Sequence, residues 1–194
     1  MEIVFATNNR NKLVEIQSLL KGTGFRVISL KDIDFEGELP EDGSTLDANA
    51  SQKANYISDK YGYNCFSDDS GLEVEALNGR PGVYSARYAG SRRNDSDNMQ
   101  KVLVEMQGQT NRRAMFRTVI ALIMNGVERH FEGKVTGTLL TTLRGEQGFG
   151  YDPIFVPDGY EKSFAEMSIE EKNEISHRAK AVQQLVEYLE RINV

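Results

Sequence analysis

The opening segment constrains the fold more than any other stretch. A short apolar run of strand type, EIVFA at 2–6, passes through polar TNNRN into KLVEIQSLLK, where Leu13, Ile16, Leu19 and Leu20 fall on one helical stripe. FRVISL at 25–30 then reads as a second strand. Strand, polar turn, amphipathic helix and strand in that order are the start of an α/β fold, because a parallel pair needs a crossover element to bring the chain back.

The rest of the chain extends this pattern. After an acidic loop at 34–44, Leu46, Ala50, Ala54, Ile57 and Tyr61 are spaced as a helix with a narrow apolar face. NCFSDD at 64–69 reads as a strand running into a turn at Ser70-Gly71, and 78–93 reads as a long surface loop. Met99, Val102, Leu103 and Met106 mark another helix. Segments 113–125 and 127–142, hinged at Asn125-Gly126, read as a β-hairpin, so the sheet is expected to be mixed. Ser168 and Glu171 stand at capping-box spacing, and Ala179, Val182, Val186 and Leu189 line one side of the last helix. Without a Gly/Ser-rich linker or an internal repeat, residues 1–194 are expected to form one domain.

Composition limits the function. Twenty-nine acidic against 23 basic side chains leave a formal charge of −6, which argues against non-specific nucleic-acid coating. An apolar fraction of 39% and a charged fraction of 27% are ordinary for a globular protein. No apolar run is long enough for a membrane span, and MEIVFATNNRNK lacks the pattern of a signal peptide. A lone cysteine, Cys65, points to a reducing compartment; a soluble, cytoplasmic protein is expected. With only His130 and His177 beside that cysteine, neither a zinc site nor a Ser/His/Asp nucleophile set stands out.

Four constellations could carry chemistry, each with a plainer alternative. In TNNRNK, amides at a helix start plus Lys12 would suit an anion, with Thr7, Asn8 and Asn9 donating; equally, this is a polar connection with an Asn cap. Glu36, Glu38, Glu41 and Asp42 in one loop, with Asp68-Asp69 at a strand end, could hold magnesium and supply a base, or the loop is a solvated surface. Paired acids where an apolar strand ends repel unless a cation lies nearby. GEQGFGYDPIF at 145–155 offers the rings of Phe149 and Tyr151 and the edge of Asp152 to a flat heterocycle, or is a turn whose aromatics cover the core. Lys172, His177 and Arg178 could meet a phosphate or a carbonyl oxygen, or form a helix surface of mixed charge.

TNNRNK, ELPEDGSTLDANA, SDDSGLEVEALNGRPGVYSARYAG, GFGYDPIF and FAEMSIEEKNEISHR occur in the order and spacing of the inosine/xanthosine triphosphate pyrophosphatases, and the chain resembles that family from about residue 2 to 190. The resemblance implies an α/β fold with an elongated mixed sheet flanked by helices, two lobes and a central nucleotide cleft, as a homodimer. It implies Mg²⁺-dependent hydrolysis of ITP, dITP and XTP to the monophosphate and pyrophosphate. The family's phosphate loop falls on Thr7, Asn8, Asn9, Arg10, Asn11 and Lys12, and its phosphate-facing lysine on Lys53. The metal carboxylates fall on Glu41 and Asp69 with Asp68 beside them; Asp69 matches the general base and Ser70 a substrate contact. The base pocket falls on Phe149, Gly150, Tyr151 and Asp152, and further substrate contacts on Lys172, His177 and Arg178. Leu46 and Asn11 depart from the family pattern without removing a charge. A non-catalytic nucleotide sensor and a pyrophosphatase for modified or pyrimidine nucleotides are the rival readings; the sensor has no need of Glu41, Asp68 and Asp69 together.

Overall fold

The computed structural model describes residues 1–192. Strands β1 (Glu2–Phe5), β2 (Arg26–Ile28), β3 (Cys65–Val74), β4 (Arg113–Met124), β5 (Val127–Leu139) and β6 (Phe155–Pro157) form one mixed sheet in the order β2-β1-β3-β4-β5-β6. Helices are α1 (Arg10–Leu19), α2 (Leu46–Tyr61), α3 (Asp95–Glu105), α4 (Ile169–Ile175) and α5 (His177–Ile192). β1 lies parallel to both β2 and β3, with Ile3 opposite Val27 and Phe5 opposite Phe66. A strand flanked on both sides and covered on both faces should be apolar throughout, and Ile3, Val4 and Phe5 are all buried. β5 and β6 run antiparallel, and Asn125-Gly126 joins β4 to β5 with both φ angles positive, as a two-residue hairpin turn requires.

The chain divides into two compact units. The first takes Met1–Asp69, Thr118–Gly133 and the chain from Arg178 on; the second takes Ser70–Arg117 and Lys134–His177. In the first, Ile3, Phe5, Ile16, Phe66, Leu122 and Leu185 belong to one buried cluster, and the rings of Phe5 and Phe66 stack at 4.7 Å. In the second, Leu72, Val102, Phe116, Tyr151, Phe155 and Phe164 form the core. Residues 133–139 of β5 alternate buried and exposed, the signature of a strand with one face on a core.

Two sequence expectations fail. No turn occurs at Ser70-Gly71: β3 runs unbroken from Cys65 to Val74. Asp-Asp-Ser-Gly has the composition of a turn, but Gly71 serves a close approach instead, since a Cβ there would lie 2.4 Å from the Gly82 carbonyl oxygen. Nor is 78–93 simply a surface loop. Glu73 bridges Pro81, a 3₁₀ helix spans Gly82–Arg87, and Ser85 is buried, accepting the Leu72 N–H at 2.9 Å and donating to Gly82 O at 2.6 Å. Replacing Gly71 with alanine should therefore push β3 from this 3₁₀ segment and destabilise the protein by about 1–3 kcal/mol. Urea unfolding of Gly71→Ala checks this, and an unchanged midpoint would refute the close-approach account.

Candidate active site

The first unit gathers charge around the middle of β3. Successive strand residues point to opposite faces. Cys65, Ser67 and Asp69 face α2: the Cys65 thiol donates to Ala54 O at 3.2 Å, Ser67 Oγ to Ala50 O at 2.5 Å, and Asp69 Oδ2 accepts from Asn49 Nδ2 at 2.9 Å. Asp68 faces the other way, where Lys12 and Glu15 of α1 and Arg178 of α5 meet it or one another. Lys12 and Glu15 are three apart in α1, and Asn49 and Lys53 four apart in α2, so each pair shares one helical face.

Asp68 is fully buried, with Lys12 Nζ 3.1 Å and Arg178 Nε 3.2 Å from its Oδ2. Arg178 also pairs with Glu15. Lys53 Nζ lies 2.7 Å from Glu41 Oε1, 2.7 Å from the Asp68 carbonyl oxygen and 3.8 Å from Asp69 Oδ1. Lys12, Lys53 and Arg178 thus meet Glu15, Glu41, Asp68 and Asp69.

The two neighbouring carboxyls titrate apart. Burial alone would raise Asp68, but Lys12, Arg178 and Lys53 outweigh it and hold the group well below the usual carboxylate range. Burial raises Asp69, Glu41 pushes the same way, and Lys53, Lys12 and the Asn49 bond offset this only in part. Burial lowers Lys12, whereas Asp69, Glu41 and Asp68 overcome it at Lys53 and raise that amine. The two neighbouring acids are thus driven in opposite directions by their surroundings.

Other predicted residues of this unit mostly build the frame. Asn9 caps α1, its side chain accepting the Asn11 and Lys12 amides at 2.9 and 3.1 Å, so the cap reading of TNNRNK holds. Thr7 Oγ1 accepts the Asn9 amide at 3.2 Å. Asn8 donates to Gly37 O and accepts from Leu39 N, both at 2.9 Å, and so ties the acidic loop to the helix start. Arg10 and Asn11 are exposed, as are Glu36, Glu38 and Asp42 of that loop; Glu41 alone of its glutamates reaches Lys53.

In the second unit, the Gly145–Asp152 turn is held from several sides. Asp152 Oδ2 accepts the Phe149 amide at 2.9 Å and Lys172 Nζ at 2.6 Å. A Cβ on Gly148, whose φ is +75°, would lie 2.1 Å from that same oxygen. Lys172 also sits 5.1 Å above the Phe149 ring and 5.5 Å above Phe164. The Gly150 amide donates to Asp95 at 2.7 Å, and Tyr151, buried in the core, donates its hydroxyl to Ser85 O at 2.7 Å. The His177 ring lies flat on Phe116, 4.7 Å away and 9° from parallel. Ser70 continues β3, half-buried.

Sequence reasoning passed over Asn49, Glu15, Asp95, Ser85 and Phe116. Asn49 and Glu15 had a signal: each lies on the same helical face as a lysine already singled out. Asp95, Ser85 and Phe116 had none, because the partners they meet lie far along the chain.

The Ham1 family matches residues 3–188. The chain belongs to that family. A dITP/XTP pyrophosphatase of Flavobacterium psychrophilum is 53% identical to it over 188 residues, spanning 97% of this chain and 98% of that one. The Porphyromonas gingivalis protein of the same name is 49% identical, spanning 97% of each. The solved Ham1 protein of Staphylococcus aureus superposes with a TM-score of 0.87 at 39% identity over 98% of both chains. That of Coxiella burnetii gives 0.89 at 38% identity, covering 98% of this chain and 99% of its own.

Among the described residues no group of three or more His, Cys, Asp and Glu side chains forms a cage for a metal ion. Glu41 and Asp69 present carboxylate oxygens on either side of the Lys53 ammonium, a place that already attracts positive charge. Magnesium takes one or two carboxylates together with phosphate oxygens and water rather than a full protein cage. The Asp68 network has a pH signature of its own. Its folded-state pKa is depressed, so its stabilisation is present above the unfolded value of about 3.9 and is lost as pH falls below it. Asp68→Asn should cost about 3–5 kcal/mol near neutral pH, since Lys12 and Arg178 lose a buried counter-charge. In denaturant titrations that difference should hold down to about pH 4 and shrink below it. A difference that shrinks only above about pH 5 would overturn the assignment.

Proposed function

We propose that this chain hydrolyses the noncanonical purine nucleoside triphosphates ITP, dITP and XTP to the monophosphate and pyrophosphate, clearing them from the nucleotide pool. The observation that carries the reading is the Asp68-Asp69 pair, one carboxyl locked as an anion among Lys12 and Arg178, the other raised by burial and set beside Lys53. The names of its relatives, dITP/XTP pyrophosphatases over nearly the whole length, support the same chemistry. The reading includes Mg²⁺ as cofactor, work in the cytoplasm and assembly as a homodimer.

Asp69 takes the proton of a water that attacks the α-phosphorus, and the bond from that phosphorus to the bridging oxygen breaks as pyrophosphate leaves. Its Oδ2 accepts from Asn49 at 2.9 Å and its Oδ1 lies 3.8 Å from Lys53 Nζ, so both oxygens are held in place for that role. Lys12 and Lys53 offset phosphate charge, and Asp68 holds Lys12 in place from beneath. Glu41 and Asp69 would hold Mg²⁺, which would supply charge neutralisation and polarisation of the phosphate; the Asp68 carboxyl, expected from the sequence as a third ligand, is turned instead toward Lys12 and Arg178. Thr7, Asn8, Asn9, Arg10 and Asn11 shape the α1 start for the phosphates, whose anionic charge the helix N-terminus favours.

Base selection rests on donors and acceptors. Hypoxanthine shows an acceptor at O6 and a donor at N1, and adenine shows the reverse. The Phe149 and Gly150 amides are already bonded to Asp152 and Asp95, and Arg178 to Glu15 and Asp68. In this reading His177, whose ring lies flat on Phe116, donates to O6. A purine meeting the wrong set leaves site groups unpaired, which is worth discrimination of about 10⁴.

Asp69→Asn should lower kcat by about 10²–10⁴-fold, the usual share of a general base, with nucleotide binding by calorimetry little changed. Turnover equal to wild type would remove Asp69 from the mechanism. In a substrate panel with Mg²⁺, pyrophosphate release from ITP, dITP and XTP should far exceed that from ATP or dUTP. Equal rates for ATP would defeat the base-pocket reading.

A further inference from the structure

Asn49 is buried in α2 and uses both ends of its amide in opposite senses. Its Oδ1 accepts the Gly43 N–H at 2.8 Å, and its Nδ2 donates to Asp69 Oδ2 at 2.9 Å. Turning the amide over would set oxygen against carboxylate and NH₂ against N–H, so the network permits one orientation only. Gly43 is two residues from Glu41, and a Cβ on it would lie 2.8 Å from both Asn49 Oδ1 and the Ala48 Cβ. The loop carrying Glu41 therefore rests directly on the first turn of α2. Asp69 Oδ1 lies 3.8 Å from Lys53 Nζ, the same ammonium that holds Glu41 at 2.7 Å.

We infer that Asn49 is a positioning residue: one side-chain amide sets both the Glu41 loop and the Asp69 carboxylate, holding the pair in register for a divalent cation. The inference rests on the proposed use of Glu41 and Asp69 and adds the group that spaces them. Hydrogen bonds to metal-binding carboxylates typically govern affinity by 10–100-fold. A residue serving stability alone would change the unfolding midpoint and leave cation affinity where it was.

The test is Mn²⁺ binding to the nucleotide-free full-length protein, followed by electron paramagnetic resonance, alongside kcat and KM for ITP. Asn49→Ala should weaken Mn²⁺ binding about 10–100-fold and lower kcat by a similar factor, with KM moving less than about threefold. Gly43→Ala sits on a half-buried loop, opens no hole in α2 and crowds the same Asn49 oxygen, so it should shift affinity the same way even where Asn49→Ala does not fold. Gln52→Ala removes a different tether of the loop, the bond to the Asp42 amide at 2.9 Å, and should leave Mn²⁺ affinity within about threefold of wild type. Folded Asn49→Ala or Gly43→Ala protein with wild-type affinity and kcat would overturn the inference, as would an equal loss in Gln52→Ala. Wild-type protein that neither binds Mn²⁺ nor cleaves ITP would instead overturn the functional reading beneath it.

Discussion

A carboxylate taken wholly out of water is tolerable only where cations and hydrogen bonds replace its hydration, and Asp68 imposes that condition on the first unit. Lys12 must come from the first turn of α1, Arg178 from the start of α5, and Glu15 must answer the charge left over on Arg178. Two helices far apart in the chain are thereby pinned to one strand position. Apolar contacts such as Phe5 on Phe66 supply the bulk of the burial, but they do not select which residue faces which. The ion network does, because each of its members is costly without the others.

The pleat of β3 then turns one sequence feature into two chemical environments. Asp68 and Asp69 are neighbours in the chain, yet one points toward α1 and α5 and the other toward α2. On the first side the cations prevail; on the second, burial prevails. Lys53 meets both Glu41, at 2.7 Å, and Asp69, at 3.8 Å.

Much of this was legible beforehand, with a physical reason in each case. The β1–α1–β2 start shows in periodicity because a strand buried on both faces and an amphipathic helix leave different apolar spacings. The Asp pair demanded a cation, and Coulomb's law does not depend on where in the chain that cation comes from. Ser70-Gly71 misled because turn chemistry and close backbone approach draw on the same residue types, and only the carbonyl of Gly82 separates them. Arg178 looked like a surface donor in a segment of mixed charge, and its burial among Glu15 and Asp68 depends on packing over long sequence distances.

The sequence by itself determined the α/β class, the polar turn that starts α1, the hairpin at Asn125-Gly126 and the chemical types at the site: lysines, paired acids and a glycine-rich aromatic turn. These follow from local spacing and composition, which are properties of a short stretch of chain. Only the tertiary structure decided which oxygen of Asp69 meets Asn49, which acid of the 34–44 loop meets Lys53, and that one buried amide, Asn49, spans both. Those outcomes are set by distances between residues remote in sequence, and a pattern along one chain carries no measure of such distances until burial forces each polar group to find its partner.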